Sequence, residues 1–220
     1  ADGMGGYSAG EVASGMAINV IGSELGQWLE EAPADVSVAE VRRALQVCVD
    51  NANQAIFGAS LANMQYLGMG TTLVVGVLRA GRLILGHVGD SRCYRLRAGE
   101  LRQITRDHSW LQEQIDLGLL TPAQAAVSGL GNLVTRALGV DALVYPEINE
   151  FAVDPQDLFI LCSDGLTDMV SDGDLAQLAR LPMPLADKAQ GGRDNISVLL
   201  VQAAGPDKKR GLVSRLLRAH

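Results

Sequence analysis

Two residues, Ala80 and Gly81, separate a β-rich run from Thr71 to Arg79 from a second run, Arg82 to Val88. A connection that short closes as an antiparallel hairpin, because a parallel return needs a crossover of about a dozen residues. The pattern continues past Gly89-Asp90 with Ser91 to Leu96, a turn at Ala98-Gly99, and Leu101 to Ile104. This block reads as an antiparallel meander.

Helical signals precede it. Ser8-Ala9-Gly10-Glu11 is a capping box, and Val12, Met16, Val20, Leu25 and Trp28 follow near helical spacing, predicting a helix of about five turns. Ser37-Val38-Ala39-Glu40 repeats the signal, with Val41, Leu45, Cys48, Ala52 and Ile56 as the apolar stripe. The two helices are expected side by side, joined by a loop at Pro33. Downstream, Asp107 to Leu117 and Thr121 to Ala126 read as short helices, and Ser128-Gly129-Leu130-Gly131 as a flexible joint. Glu147 to Val153, Asp157 to Cys162 and Ile196 to Gln202 read as strands, with a capped helix from about Ser171 to Arg180. Helices at both ends of a block of antiparallel strands indicate α+β, not alternating βαβ.

The 220 residues suit one domain, expected over 1–204, with a basic tail at 205–220. The longest apolar stretch, Thr72 to Leu78, is far too short to span a bilayer, and with no basic n-region and apolar h-region at the start no signal peptide is expected. Ala1-Asp2-Gly3 reads as the end of a strand already under way, so upstream sequence is expected. Cys48, Cys93 and Cys162 form no C-x-x-C pair and read as reduced core thiols of a cytoplasmic protein. A formal charge of −7 argues against a nucleic-acid binder and would repel a phosphate substrate unless bound cations supply positive charge.

Three islands carry the chemistry: Ala1-Asp2-Gly3-Met4-Gly5-Gly6, Cys162-Ser163-Asp164-Gly165 and Gly191-Gly192-Arg193-Asp194-Asn195. Each reads as a glycine-flanked bend that pushes a carboxylate outward. Common turn dipeptides explain one such island; if three converge, Asp2, Asp164 and Asp194 make a cage of hard oxygen ligands suited to magnesium or manganese. Gly3-x-Gly5-x-x-Ser8 lacks the third glycine of a dinucleotide fingerprint, and no Gly-Lys-Ser/Thr completes a P-loop. No G-x-S-x-G elbow or H-E-x-x-H motif is present, so no covalent nucleophile is indicated.

Asp90 and Arg92 read either as a surface turn with a local ion pair or as part of a site. His87 reads as a half-buried strand residue, and His108 as a helix-start residue bonded to Asp107. In the tail, Leu212, Val213, Leu216 and Leu217 share one helical face beside Lys208-Lys209-Arg210. A short solvated helix is the commoner outcome for such a segment; contact with a partner or an acidic membrane is the other.

The islands, together with Met69-Gly70-Thr71-Thr72, His87 to Tyr94, Thr105 to Trp110 and Val134 to Gly139, resemble the metal-dependent Ser/Thr protein phosphatases of type 2C (the PPM family), bacterial branch. The resemblance implies a four-layer αββα sandwich of two antiparallel sheets flanked by helices. It implies hydrolysis of phosphoserine and phosphothreonine in proteins by water activated between two Mn²⁺ or Mg²⁺ ions. By position, Asp2 would bridge both ions and the Gly3 carbonyl would bind one. Asp164 and Asp194 would hold the other, and Asp90 with Asp164 a third, looser ion. The stretch from about Asp107 to Leu138 would include the flap at the substrate entry.

Three features depart from the family pattern. The family's upstream strand, with its phosphate-binding Arg and an acidic ligand, is not in this sequence, so one ion is expected to bind poorly without it. Met4 and Tyr7 stand where relatives carry His, leaving protonation of the leaving group to water or to another residue such as His108. Leu181 to Gln190 is shorter than usual. The resulting expectation is a cytoplasmic phosphatase acting on phosphoproteins opposite a Ser/Thr kinase. The alternatives are a catalytically impaired phosphoprotein-binding regulatory module and a relative devoted to one regulatory phosphoprotein.

Overall fold

The computed structural model describes residues 1–6, 9–128, 133–180 and 196–204. Helix α1 (Ala9–Glu31) buries Ala9, Ala13, Ala17, Ile21 and Leu25, one residue per turn along a single seam. It runs past the expected five turns, and the stripe expected at Val12, Met16 and Val20 only flanks the seam, partly buried. Small residues on that seam let the helix backbone approach its neighbours closely. The expected N-cap, Ser8, lies outside the described residues.

Helix α2 (Val38–Ala62) begins as its sequence indicates. The Ser37 hydroxyl accepts from the Glu40 backbone N–H at 3.2 Å, and the Glu40 carboxylate accepts from the Ser37 N–H at 3.0 Å. Its buried face is Val41, Leu45, Cys48, Val49, Ala52 and Ile56. The two helices pack side by side, with Asn51 donating to Glu24 across them at 2.8 Å.

The strands form two main sheets. β1 (Gly3–Met4) pairs with β2 (Gly70–Thr71) as a short ribbon. β3 (Leu73–Arg79), β4 (Arg82–Val88) and β7 (Glu147–Ala152) make one sheet, in the order β3-β4-β7. β5 (Arg92–Arg97), β6 (Glu100–Gln103), β8 (Leu158–Cys162) and β9 (Val198–Gln202) make the other, in the order β6-β5-β8-β9, and every pairing is antiparallel. Both hairpin turns hold their two central residues at positive φ, 48° and 71° at Ala80-Gly81 and 48° and 84° at Ala98-Gly99. That backbone matches the strand twist.

Side-chain alternation stacks these sheets into layers. Ile84 and Val88 of β4 face the α1–α2 layer, while Leu83 and Leu85 meet Cys93 and Phe159 between the sheets. On the far side Tyr94, Ile160 and Cys162 pack against Leu166 of α5 (Asp164–Thr167) and Leu175 of α6 (Asp172–Leu178). The result is the expected αββα sandwich. Two further short helices, α3 (Trp110–Asp116) and α4 (Pro122–Ala126), follow β6. Among the described residues no helix is long and apolar enough to cross a membrane.

Two expectations are corrected. The run from Thr71 to Arg79 is not one strand: it breaks at Thr72, whose backbone N–H donates to the Asp2 carbonyl at 2.8 Å. Nor is Thr71 to Ile104 one meander, because the chain leaves the first sheet after β4 and enters the second at β5. The crossing turns at Gly89, with φ of +102° and room for no side chain, since a Cβ there would lie 2.7 Å from Thr72 Cβ.

Gly3 also departs from the reading of a bend. It sits in β1, and a Cβ on it would fall 1.8 Å from the Gly10 carbonyl oxygen of α1. Gly3→Ala is expected to cost about 2–3 kcal/mol because both contacting groups are backbone. Gly22→Ala, exposed on α1 with nothing near its Cβ position, should gain roughly 0.5–1 kcal/mol. Urea midpoints of the two variants check this; equal effects would contradict the close approach of β1 to α1.

Candidate metal centre

A cavity of about 370 Å³ opens where the β1–β2 ribbon, the crossing after β4 and the start of α5 meet. Asp2, Gly3, Thr72, Asp90 and Asp164 line it, with Leu133 and Val134 among its other walls. Four of the five positions singled out as ligands, Asp2, Gly3, Asp90 and Asp164, therefore share one pocket. The fifth, Asp194, lies outside the described residues with the rest of its island, Gly191 to Asn195.

Each carboxylate arrives on a backbone fixed by hydrogen bonds. The Asp2 carbonyl accepts from the Thr72 N–H at 2.8 Å and from the Thr71 hydroxyl at 2.9 Å, while its N–H donates to Thr72 Oγ1 at 2.9 Å. Thr72 Oγ1 also lies 2.7 Å from Ser91 Oγ, which joins the ribbon to the crossing that carries Asp90. Asp164 is the first residue of α5, directly after the Ser163 cap. Ser163 is pinned to β9's leading residues: its N–H donates to Ser197 O at 3.1 Å, and its hydroxyl accepts from Ser197 N–H at 3.0 Å. Asp164 thus starts a helical turn and is not held in a tight bend, a correction to its sequence reading.

Asp90 is buried, which removes the reading of a surface turn. Burial, then the nearby negative charges of Asp164 and Asp107, push its carboxyl up to about 6. Arg92 does not pair with it. The Arg92 guanidinium grips Asp107 through three contacts of 2.6–3.1 Å and donates to Tyr94 Oη at 3.1 Å. Gln103 donates to the same carboxylate at 2.8 Å, and Tyr94 donates onward to Asp172 at 3.0 Å. Burial works against the Arg92 charge, but Asp107 more than offsets it and holds the group above the usual arginine range.

The cavity therefore gathers three carboxylates, and its described lining includes no Lys, Arg or His. Crowded acids without a facing cation, one of them buried and reluctant to ionise, fit divalent ions that accept hard oxygen donors.

Neither His87 nor His108 lines the cavity. His108 is buried with His87, ring centroids 4.7 Å apart, and its Nδ1 accepts from the Gly89 N–H at 3.1 Å. Its Nε2 faces Glu147 at 3.6 Å, while Asp107 belongs to Arg92, so the expected Asp107–His108 bond is absent. His87 is fully buried where a half-buried residue was expected. Burial lowers both imidazoles to about 4, helped at His108 by His87. A buried neutral imidazole outside the cavity does not protonate a leaving group in it. The thiols are free and buried as expected, and burial pushes Cys93 and Cys162 up to about 12.

Sequence reasoning missed the Thr72–Ser91 hydroxyl pair and the Arg92–Asp107 pair. The second was accessible from hairpin arithmetic. The Tyr94↔Gln103 register, extended by two residues, sets Arg92 opposite Thr105, two positions from Asp107.

A protein phosphatase 2C family model matches residues 1–195. The serine/threonine phosphatase Stp of Listeria monocytogenes is 38% identical, over 92% of this chain and 82% of that protein. Protein phosphatase PhpP of Streptococcus pneumoniae is 35% identical over 91% of this chain and 83% of its own. Among solved structures, the Mycobacterium tuberculosis serine/threonine phosphatase PstP/Ppp superimposes with a TM-score of 0.81 at 34% identity, covering 93% of this chain and 86% of that one. The catalytic domain of PstP in complex with two manganese ions gives 0.77 at 34%, covering 92% and 85%.

The Asp90 shift has a sign that can be tested. Its folded value, about 6, lies above the unfolded 3.8, so the stability it contributes is complete below pH 3.8 and is lost as pH rises through 6. In EDTA at pH 7.5, Asp90→Asn should raise the urea-unfolding free energy by about 1–3 kcal/mol, an advantage that fades below pH 4. A metal-free variant less stable than wild type at pH 7.5 would contradict the crowding of these carboxylates.

Proposed function

This chain belongs to the protein phosphatase 2C family, and on that premise we propose which of its residues carry the family's reaction. The protein is a manganese- or magnesium-dependent phosphatase of phosphoserine and phosphothreonine in proteins. The observation that supports the assignment is the convergence of Asp2, Asp90 and Asp164 on one cavity lined by no cationic side chain among the described residues. Asp2 and the Gly3 carbonyl would hold one divalent ion, Asp2 with Asp164 and Asp194 a second, and Asp90 with Asp164 a third, looser one. Asp194 enters from the family resemblance alone.

Bound divalent cations supply the positive charge that phosphoryl oxygens require and acidify water toward neutral pH. The chain's own residues hold that charge in place and keep the reaction off its side chains. Thr72, the one hydroxyl among the described lining residues, is tied to Asp2 N–H and Ser91 Oγ. The cysteines are buried protonated thiols. The phosphoryl group therefore passes to water without a phosphoenzyme, and water returns the proton to the leaving serine or threonine oxygen.

The phosphatase domain is read as residues 1–204; the basic tail, with its proposed solvated helix, lies outside the described residues. The setting we infer is the cytoplasm, opposite a Ser/Thr kinase, which the family membership and three unpaired thiols support.

Hydrolysis of p-nitrophenyl phosphate with manganese, with EDTA, and in Asp164→Asn and Asp194→Asn variants tests the assignment. Turnover should need the metal, and each variant should lose at least ~100-fold in kcat/KM. Metal-dependent turnover that survives both substitutions would overturn the ligand set; none at all, even in a longer chain that carries the upstream strand, would favour a phosphoprotein-binding module.

A further inference from the structure

We propose that His108 is a positioning residue whose imidazole locks the Asp90-bearing crossing to the opposite wall of the cavity. Gly89, immediately before Asp90, exchanges two hydrogen bonds with it. The Gly89 N–H donates to His108 Nδ1 at 3.1 Å, and the His108 N–H donates to the Gly89 carbonyl at 2.8 Å. From the same residue the bonding runs on to the far wall. The His108 carbonyl accepts from the Thr135 N–H at 2.9 Å, Trp110 N–H donates to Leu133 O at 2.9 Å, and Ser109 pairs with Val134 in an isolated bridge. Leu133 and Val134 are cavity residues, as is Asp90. One histidine thus ties the crossing to the segment that faces it.

The imidazole is the part that nothing else replaces. Gly89 is buried at positive φ, so its N–H points away from either sheet ladder and would lack a partner without Nδ1. A buried unpaired donor is costly enough to move the backbone. Accepting at Nδ1 also fixes the neutral tautomer, with the proton on Nε2 toward Glu147. His87, His108 and Glu147 bring ligand atoms within 4.8 Å of one another, spacing that suits an ion. The tautomer decides against it, because a protonated Nε2 has no lone pair to donate. The cluster is a strut for the neighbouring site.

This inference rests on the assignment of Asp90 as an ion ligand, but the strut can be examined without metal. Asn at this position offers an acceptor where Nδ1 sits; Gln, similar in bulk, offers one nearer Nε2. In EDTA, backbone amide exchange at Gly89 and Thr135 should accelerate at least ~10-fold in His108→Gln and stay near wild type in His108→Asn. Calorimetric titration with Mn²⁺ should show about tenfold weaker binding in His108→Gln, recovered by His108→Asn, and no weakening by His108→Gln when Asp90→Asn is already present.

Unchanged Gly89 exchange in His108→Gln overturns the strut whether or not manganese binds. Equal weakening of manganese binding with and without Asp90 overturns its action through Asp90. Wild-type protein that takes up no manganese sinks the ion assignment, and with it the action on Asp90, while the exchange rates still judge the strut.

Discussion

Holding Asp2, Asp90 and Asp164 around one cavity works against the repulsion between them, and the fold exists in a form that resists it. The resistance comes from neutral hydrogen bonds to the backbones that carry the acids. Thr71 and Thr72 hold Asp2, Ser91 and Gly89 frame Asp90, and Ser163 with Ser197 sets the start of α5. Among the described residues, cations that could neutralise the acids are kept elsewhere. Arg92, two residues from Asp90, is consumed by Asp107 and Tyr94. A protein-supplied counter-charge would make the pocket comfortable and useless for metal; this arrangement leaves the charge for an ion to balance.

Geometry follows from where the chain changes sheets. β4 and β5 are consecutive in sequence yet belong to different sheets, so the link between them must cross at the sandwich end. The β1–β2 ribbon and the β8–α5 junction reach that same end. Close backbone approach is what permits it. Gly3 lies against Gly10 and Gly89 against Thr72, and a methyl group at either place meets backbone or branched carbon at under 3 Å. Gly3 leaves room between layers and makes no bend, whereas Gly89 does both, turning the crossing at positive φ where no side chain fits.

Much of this was legible in the residues because the signals are local. Capping boxes and two-residue turns report on themselves, so α2, β4 and the Ala80-Gly81 hairpin fall where the sequence puts them. What was hidden depends on distant partners. Thr71-Thr72 looks like unbroken strand, yet Thr72 turns to Asp2, seventy positions away. The helix expected from Asp107 starts instead at Trp110, because the backbones of His108 and Ser109 pair with Gly89 and Val134. The buried face of α1 was misplaced since alanines carry it, and alanine is a weak hydrophobic signal. Asp2, Gly3, Asp90 and Asp164 line one cavity; the residues themselves suggested a carboxylate cage only for Asp2, Asp164 and Asp194, and the family resemblance brought in Gly3 and Asp90 as ligands.

The most direct measurement of the central claim is an anomalous difference map from crystals of the protein grown with manganese. The account predicts at least two peaks inside the cavity bounded by Asp2, Gly3 and Asp164, with Asp2 touching both. A cavity without peaks, or peaks confined to the His87–His108–Glu147 cluster, would contradict it.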